Sequence, residues 1–171
     1  MSGIRLVLLE SVPRDLPDLD VRSEFDVIRA EVGEGSVEFD TPKRIRGSDL
    51  DSVDEAAKAA PDILHLSAHA GESAHARSAG EAPPTVIYVK GSRGAVELTA
   101  THLASKLRGY ATPRVAVLSA CSSLPYAQEL ASKITSLEFV VGTSLAIYDA
   151  RAPRFEKTFY ARLAAGLSIS N

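Results

Sequence analysis

The chain has 171 residues, one cysteine and a formal net charge of −3, from 19 basic and 22 acidic residues. This length suits one domain that buries about 70% of the surface of its unfolded chain, and the balanced charge argues against nucleic acid or an anionic membrane as a partner. A lone cysteine excludes an internal disulfide, and the apolar run 4–9 is too short for a signal peptide or a membrane span. We therefore expect a cytoplasmic protein.

The first third of the chain predicts a strand and a helix. Residues 4–9 are apolar with little alternation, which is typical of a strand buried on both faces of a sheet. Asp20 can cap a helix that ends at Gly33 or Gly35, and a short strand is expected at 37–39. The apolar positions of this helix recur at spacings of four, three and four: Val21, Phe25, Ile28 and Val32.

The middle of the chain predicts a second buried strand. A helix capped by Asp49 or Ser52 precedes it. The apolar run 62–69 then ends on a histidine, His69. Residues 70–84 contain no large apolar side chain, so they predict a mobile surface loop.

The second half continues the alternation of strands and helices. The expected elements are a strand at 85–90, a turn at 91–94, a helix at 100–108, a strand within 114–121, a helix from about 125, a strand at 139–142 and a helix at 152–165. Phe155, Phe159 and Leu163 share one face of the last helix, and we expect Phe155, Phe159 and Tyr160 to lie in the core. Such alternation predicts an α/β fold with a mostly parallel sheet and helices on both faces.

Two buried strands end on side chains that can act together in catalysis. Cys121 stands at the carboxyl end of the run 114–121, directly before a helix, where the helix dipole and backbone N–H groups stabilise a thiolate. His69 ends the other strand, and parallel strands bring their carboxyl ends to one edge of the sheet. A cysteine beside a histidine is a nucleophile with its general base, and the N–H groups of Cys121, Ala70 and Gly71 are candidate oxyanion donors. The alternative is that Cys121 is only a small buried hydrophobic residue.

Two stretches resemble the histidine and cysteine motifs of CHAT-domain cysteine peptidases. They are Leu64-His65-Leu66-Ser67-Ala68-His69-Ala70-Gly71 and Val117-Leu118-Ser119-Ala120-Cys121-Ser122. Residues 8–15, 139–144 and 155–166 also resemble the family, so the likeness covers almost the whole chain. His69 precedes Cys121 by 52 residues, close to the spacing of about 50 in caspases. In detail the chain is most similar to the short CHAT modules of bacterial conflict systems.

The resemblance implies a caspase-like three-layer α/β sandwich, formed by residues 1–171 as a single domain. It implies a cysteine endopeptidase with His69 as base and Cys121 as nucleophile, acting on a protein substrate in a bacterial defence or signalling system without a cofactor. A regulatory or effector protein of the same system is a further expected partner. The alternative is an inactive CHAT-like adaptor module.

The chain departs from the family pattern at two places. Glycine usually follows the catalytic histidine directly, whereas here Ala70 stands at that position and Gly71 comes next. The family usually has a further helix beyond the position of Asn171, so we expect this chain to be shortened at its carboxyl end.

Asp149 has two interpretations. It can cap the last helix, or, by resemblance to separase-like members of the family, line a pocket for a basic residue before the scissile bond.

His65 and His69 are spaced like a metal-binding pair on a helix. On a strand they lie about 13 Å apart, too far to share one ion, so we expect no metal there and a core or supporting role for His65.

Overall fold

The structure, a computed structural model, describes residues 3–47, 49–79, 82–110, 112–145 and 152–167. The strands are β1 Leu6–Ser11, β2 Lys43–Ile45, β3 Ile63–Glu72, β4 Thr85–Gly91, β5 Gly94–Leu98, β6 Val115–Ser119 and β7 Phe139–Val141. The helices are α1 Val21–Glu34, α2 Leu50–Lys58, α3 Ala74–Ser78, α4 Ala100–Arg108, α5 Leu124–Lys133 and α6 Ala152–Ala164.

The strands form one seven-stranded sheet that is mostly parallel. Five strands run parallel in the order β2-β1-β3-β6-β7. The central strand, β3, pairs with β1 over 63–68 and with β6 over 63–67, and its last part, 69–72, pairs antiparallel with β4. The hairpin of β4 and β5 completes the sheet. The predicted mostly parallel sheet is therefore confirmed.

Helices cover both faces of the sheet, which gives three layers. Since side chains alternate along a strand, β3 sends Leu64, Leu66 and Ala68 to one face, where α2, α4 and α5 pack. Ile63 faces the other side, which α1 and α6 cover. Leu64 and Leu66 are almost fully buried, and each such side chain contributes about 1.5–3 kcal/mol through burial.

The helices begin where the sequence supplies a capping side chain. The carboxylate of Asp20 accepts a hydrogen bond from the backbone N–H of Ser23 at 3.2 Å. Asp49, one of the two predicted caps of α2, accepts from the N–H of Ser52 at 2.9 Å. The alternative cap, Ser52, is instead the donor in this contact.

Two predicted segments are wrong. No strand forms at 37–39, where Phe39 makes only an isolated bridge to Ile4, and the strand beside β1 is β2. The predicted loop 70–84 begins with the end of β3 and then forms α3. This happens because β4 supplies a hydrogen-bonding partner for 69–72, and because Ser73 caps α3 by accepting from the N–H of Ala76.

The core face of α6 also differs from the prediction. Phe155 is 45% exposed, whereas Phe159 and Leu163 pack against the margin of the core. The buried stripe runs instead along every fourth residue: Ala152, Glu156, Tyr160 and Ala164. Tyr160 is buried as expected, and the buried glutamate shows that the surface under α6 is polar.

Candidate functional site

His69 and Cys121 line the same small cavity at the carboxyl edge of the parallel strands. The cavity has a volume of about 40 Å³. Its lining residues are Leu19, Asp20, Glu24, Ser67, Ala68, His69, Ser119, Ala120, Cys121 and Ala152. Such a volume holds a water molecule or two but no large side chain, so a substrate side chain must bind outside it.

His69 lies where β3 changes its pairing from parallel to antiparallel. Its Nε2 lies 2.7 Å from the carbonyl oxygen of Pro17, in the loop that precedes α1. A carbonyl oxygen can only accept a hydrogen bond, so Nε2 carries the hydrogen and Nδ1 of the neutral ring has the free electron pair. Pro17 therefore fixes which nitrogen of His69 can act as a base.

Cys121 lies in a tight turn between β6 and α5. The next residue, Ser122, has a positive φ of 50°, and its N–H donates to the carbonyl of Leu145 at 3.1 Å. The hydroxyl of Thr143 donates to the carbonyl of Ala120 at 2.6 Å. The chain that follows β7 thus holds the turn on both sides of the cysteine.

The predicted oxyanion donors belong to two elements, the end of β3 and the turn that follows β6. Ala70 and Gly71 belong to the antiparallel part of β3, opposite Ile87 and Val86. Successive N–H groups of a strand point to opposite edges, so only one of these two can donate to β4. The N–H group of the other residue points away from β4. That N–H and the N–H of Cys121 are the two proposed oxyanion donors.

Asp149, the predicted pocket or capping residue, lies outside the described residues.

The profile of the CHAT domain family matches residues 8–171. The chain belongs to the CHAT family. This family is associated with cysteine peptidases. Across the described residues, no helix combines the length and the apolar character needed to cross a bilayer.

Comparisons with individual proteins add less. No curated protein matches this CHAT domain. Among solved structures it is similar to that of two-electron reduced Megasphaera elsdenii flavodoxin, with 13% sequence identity and a TM-score of 0.42. That match covers 92% of this chain and 99% of the flavodoxin.

Beneath the cavity, the CHAT domain buries a cluster of polar side chains that sequence reasoning missed. Its members are Glu24, His65, Ser67, Ser119, Glu156 and Tyr160. His65 was expected in the core, and it is fully buried. The one sequence signal for the cluster was a serine two positions before each predicted catalytic residue. Alternate residues of a strand share a face, so such a serine is expected on the same side of the sheet as the catalytic residue.

Counting hydrogens shows that the cluster holds an extra proton. Ser119 Oγ lies 2.9 Å from an oxygen of Glu24 and 2.9 Å from an oxygen of Glu156. A hydroxyl has one hydrogen, so it donates to one carboxyl group and accepts from the other, which must then be protonated. Burial raises the pKa of Glu24 as well, but hydrogen bonds from both Ser67 and Ser119 oppose that rise. Among the described residues the second oxygen of Glu156 has no hydrogen-bond partner, so Glu24 is the better stabilised carboxylate and Glu156 is the group that holds the proton.

The electrostatics of the cluster agree with that assignment. Burial, together with the neighbouring Glu24 carboxylate, raises the pKa of Glu156 above its ordinary value. Burial lowers the pKa of His65 to about 3, so this ring is neutral. His65 Nε2 lies 3.1 Å from Ser67 Oγ, and its Nδ1 lies 2.9 Å from Tyr160 Oη. The hydroxyl hydrogen of Ser67 is used on Glu24, so Nε2–H donates to Ser67 and Tyr160 donates to Nδ1.

Metal binding is the other chemistry that this cluster could support. Glu24, His65 and Glu156 each offer a ligand atom, all within 4.8 Å of one another. However, both nitrogens of His65 already have hydrogen-bond partners. The pair considered from the sequence, His65 and His69, does lie on one strand, β3.

A chelator should therefore leave the CHAT domain unchanged. We expect dialysis against EDTA to alter neither the melting temperature nor the reactivity of Cys121, because a proton rather than a cation compensates the buried carboxylates. Differential scanning calorimetry and metal analysis before and after dialysis check this. Stoichiometric zinc that survives dialysis against metal-free buffer, with a lower melting temperature after its removal, would contradict it.

Proposed function

We propose that this CHAT domain is a cysteine endopeptidase in which Cys121 attacks the scissile carbonyl and His69 is the general base. The observation that carries the proposal is the hydrogen bond from His69 Nε2 to the carbonyl of Pro17, since it leaves Nδ1 able to take a proton. The cavity shared by His69 and Cys121 supports it further.

Acylation follows from these groups. The thiol of Cys121 gives its proton to Nδ1 of His69, and the sulfur forms a bond to the carbonyl carbon of the peptide. The charge on the carbonyl oxygen is held by the N–H of Cys121 and by one N–H from Ala70 or Gly71. The imidazolium, still bonded to Pro17, then protonates the leaving amine as the C–N bond breaks.

Deacylation uses the same two residues, with a water molecule as the nucleophile and the sulfur of Cys121 as the leaving group. A water molecule enters, Nδ1 of His69 takes one of its protons, and the hydroxide adds to the thioester carbon. The sulfur of Cys121 leaves and recovers its proton from the imidazolium. The products are a carboxylic acid, a free amine and the regenerated thiol.

The proposed biological setting is proteolysis of a protein substrate in a bacterial defence or signalling system. The resemblance of the histidine and cysteine motifs to short CHAT modules supports this setting. A reducing compartment such as the cytoplasm suits a mechanism that depends on one thiol.

Covalent labelling tests the proposal. A peptide acyloxymethyl ketone should label the protein once, at Cys121, faster than iodoacetamide labels it at the same concentration, because the peptide is bound before it reacts. Intact-mass and peptide mass spectrometry measure this, and unfolded protein is the control for intrinsic thiol reactivity. If acyloxymethyl ketones carrying many different peptide sequences all label Cys121 no faster than iodoacetamide does, the result would favour the inactive adaptor instead.

Asp149 is proposed as the residue that selects the side chain before the scissile bond. If its carboxylate contacts a basic side chain, Asp149→Ala should lower kcat/KM on arginine substrates by about 30-fold or more, since truncating one partner of a desolvated charge pair typically costs about 2–5 kcal/mol. Comparing arginine with leucine peptides for both proteins measures this. An unchanged ratio together with a stability loss of about 1 kcal/mol would identify Asp149 as a helix cap only.

A further inference from the structure

One carboxylate connects the two strands that carry the proposed catalytic residues. Ser67 and Ser119 are register partners on the neighbouring strands β3 and β6. Each stands two positions before a proposed catalytic residue, so Ser67 shares a strand face with His69, and Ser119 leads directly into the turn of Cys121. Both hydroxyls donate to Glu24 of α1, one to each carboxylate oxygen.

The carboxylate of Glu24 is held firmly in this position. It is 8% exposed, and it lines the cavity beneath His69 and Cys121. The protonated Glu156 lies behind it and bonds to the same Ser119 hydroxyl. On the Ser67 side, a chain of hydrogen bonds runs back through His65 to Tyr160.

Burying an anion in an α/β core costs free energy because the charge loses its hydration, so the presence of one here points to a function. Two serines could satisfy each other, or two alanines could replace them, with less desolvation than this arrangement needs. The charged and titratable groups around Glu24 are Glu156 and Tyr160 from α6, His65 and His69 from β3, Asp20 at the start of α1, and Glu10 of β1, which Arg44 pairs at 2.6 Å. None of these is an arginine or lysine bonded to Glu24, so among the described residues its carboxylate is supported by hydrogen bonds from Ser67 and Ser119 and by one from the protonated Glu156.

We propose that Glu24 is a positioning residue, whose carboxylate clamps Ser67 to Ser119 and thereby fixes His69 and Cys121 at the separation that proton transfer requires. This inference rests on the proposed function and adds to it a residue that touches neither the substrate nor the reacting atoms. Displacing two reacting groups by about 1 Å can lower a rate by about 10²-fold, so a clamp directly beneath them has a large effect on the chemistry.

The clamp predicts that glutamine, but not alanine, can replace Glu24. The amide oxygen of glutamine accepts from one serine, and its NH₂ group donates to the other. If it donates to Ser67, that hydroxyl turns to donate to His65 Nε2, and the ring changes tautomer to donate from Nδ1 to Tyr160. Alanine leaves both hydroxyls without the bridging group.

The reactivity of Cys121 gives a direct readout, because the chain contains no other thiol. The experiment measures the second-order rate constant of iodoacetamide alkylation at pH 7 for the wild type, Glu24→Ala, Glu24→Gln, Ser119→Ala and His69→Ala. We expect His69→Ala to set the low limit, Glu24→Ala to fall about tenfold or more toward that limit, and Glu24→Gln to stay within about threefold of the wild type. The double variant Glu24→Ala/Ser119→Ala should react no more slowly than Glu24→Ala alone.

A matched control separates positioning from stability. Ile28→Ala removes a fully buried side chain one turn further along α1, which destabilises the fold by about 2–5 kcal/mol without touching the clamp. All proteins are assayed well below their melting temperatures, with circular dichroism to show that they are folded. Ile28→Ala should alkylate at the rate of the wild type, although its melting temperature falls.

The possible outcomes are distinguishable. A wild-type rate for Glu24→Ala, or equal losses in Glu24→Ala and Ile28→Ala, would overturn the clamp. An equal loss in Glu24→Gln and Glu24→Ala would overturn it too, because charge rather than bridging would then matter. A His69→Ala rate equal to that of the wild type would instead refute the proposed function, since His69 would not act on the thiol.

Discussion

Replacing Cys121 with alanine is expected to abolish peptide cleavage, because the methyl group has no electron pair with which to attack the carbonyl carbon. His69→Ala keeps the thiol but removes the group that accepts its proton, so kcat/KM should fall by about 10²–10⁴. Both proteins should fold, since both side chains are only half-buried and neither belongs to the hydrophobic core. The rates are measured on a peptide selected from a library that the wild type cleaves.

Histidine substitution needs its own control. His75 is exposed on α3, outside the cavity lining, so His75→Ala should cleave at the rate of the wild type. Circular dichroism and the melting temperature show whether each variant is folded. Full cleavage by the Cys121→Ala protein would falsify the proposed mechanism.

The second large effect is expected in the dependence of stability on pH. In the folded protein the pKa of Glu156 is raised by burial and by the nearby Glu24 carboxylate, so Glu156 stays protonated near neutral pH. An unfolded glutamate has lost its proton by then, so folding takes up a proton and rising pH opposes folding. Since the pKa of folded Glu156 is about 8, we expect the free energy of unfolding to fall between pH 6.5 and about 8, by up to about 1.4 kcal/mol per pH unit, and to level off above that. Glu156→Gln, which keeps an N–H at all pH values, should remove this fall.

At acidic pH, the contribution of His65 to the dependence of stability on pH has the opposite sign. Burial lowers the pKa of His65 to about 3, whereas an unfolded histidine titrates near 6.5. Below pH 6.5 the unfolded chain therefore binds a proton that the folded chain does not, and this group lowers stability as pH falls. Urea unfolding of the wild type and Glu156→Gln from pH 5.5 to 8.5 measures both effects. Exposed Glu34, on α1, provides the control Glu34→Gln, whose curve should parallel that of the wild type. A wild-type curve that rises or stays flat between pH 6.5 and about 8 would contradict the buried proton.

The parts of the fold that depend on uninterrupted apolar patterns were predictable. The runs that became β1 and β6 consist mainly of consecutive apolar residues, which is how central strands of a parallel sheet appear in a sequence, and β3 has apolar residues throughout one face. Capping chemistry placed the starts of α1 and α2 correctly, because a side chain and an N–H three residues later are close in sequence.

The errors fell where the outcome depends on residues distant in sequence. Nothing local distinguishes 70–72 from a loop, and only the arrival of β4 makes it a strand. The buried face of α6 was predicted wrongly for a similar reason. The stripe that contains Glu156, and not Phe155, faces the sheet, because it meets polar side chains of β3 and β6 that are distant in sequence. Hydrophobic periodicity assigns the wrong face to such a helix, because it assumes that every buried surface is apolar.

The candidate site was predictable in its residue types but not in its surroundings. His69 and Cys121 were found from the strand ends and from the resemblance to CHAT peptidases, and the structure places both on one cavity. Glu24 lies 45 residues before His69 in the sequence, on a helix whose pattern gave no sign that a carboxylate would face the core. Its role became visible only through its two serine partners.

The hydrogen bond between His69 and Pro17 places part of this site beyond the reach of ordinary mutagenesis. The acceptor is a main-chain carbonyl, so all twenty amino acids at position 17 would retain it, and an alanine scan would pass over the loop as neutral. Backbone chemistry can reach it. Incorporating the α-hydroxy analogue of aspartate at position 18 converts the Pro17 amide into an ester, whose carbonyl is a weaker acceptor. The orientation of the imidazole is thus encoded in the path of the chain, and shortening or lengthening this loop alters it where changing its side chains does not.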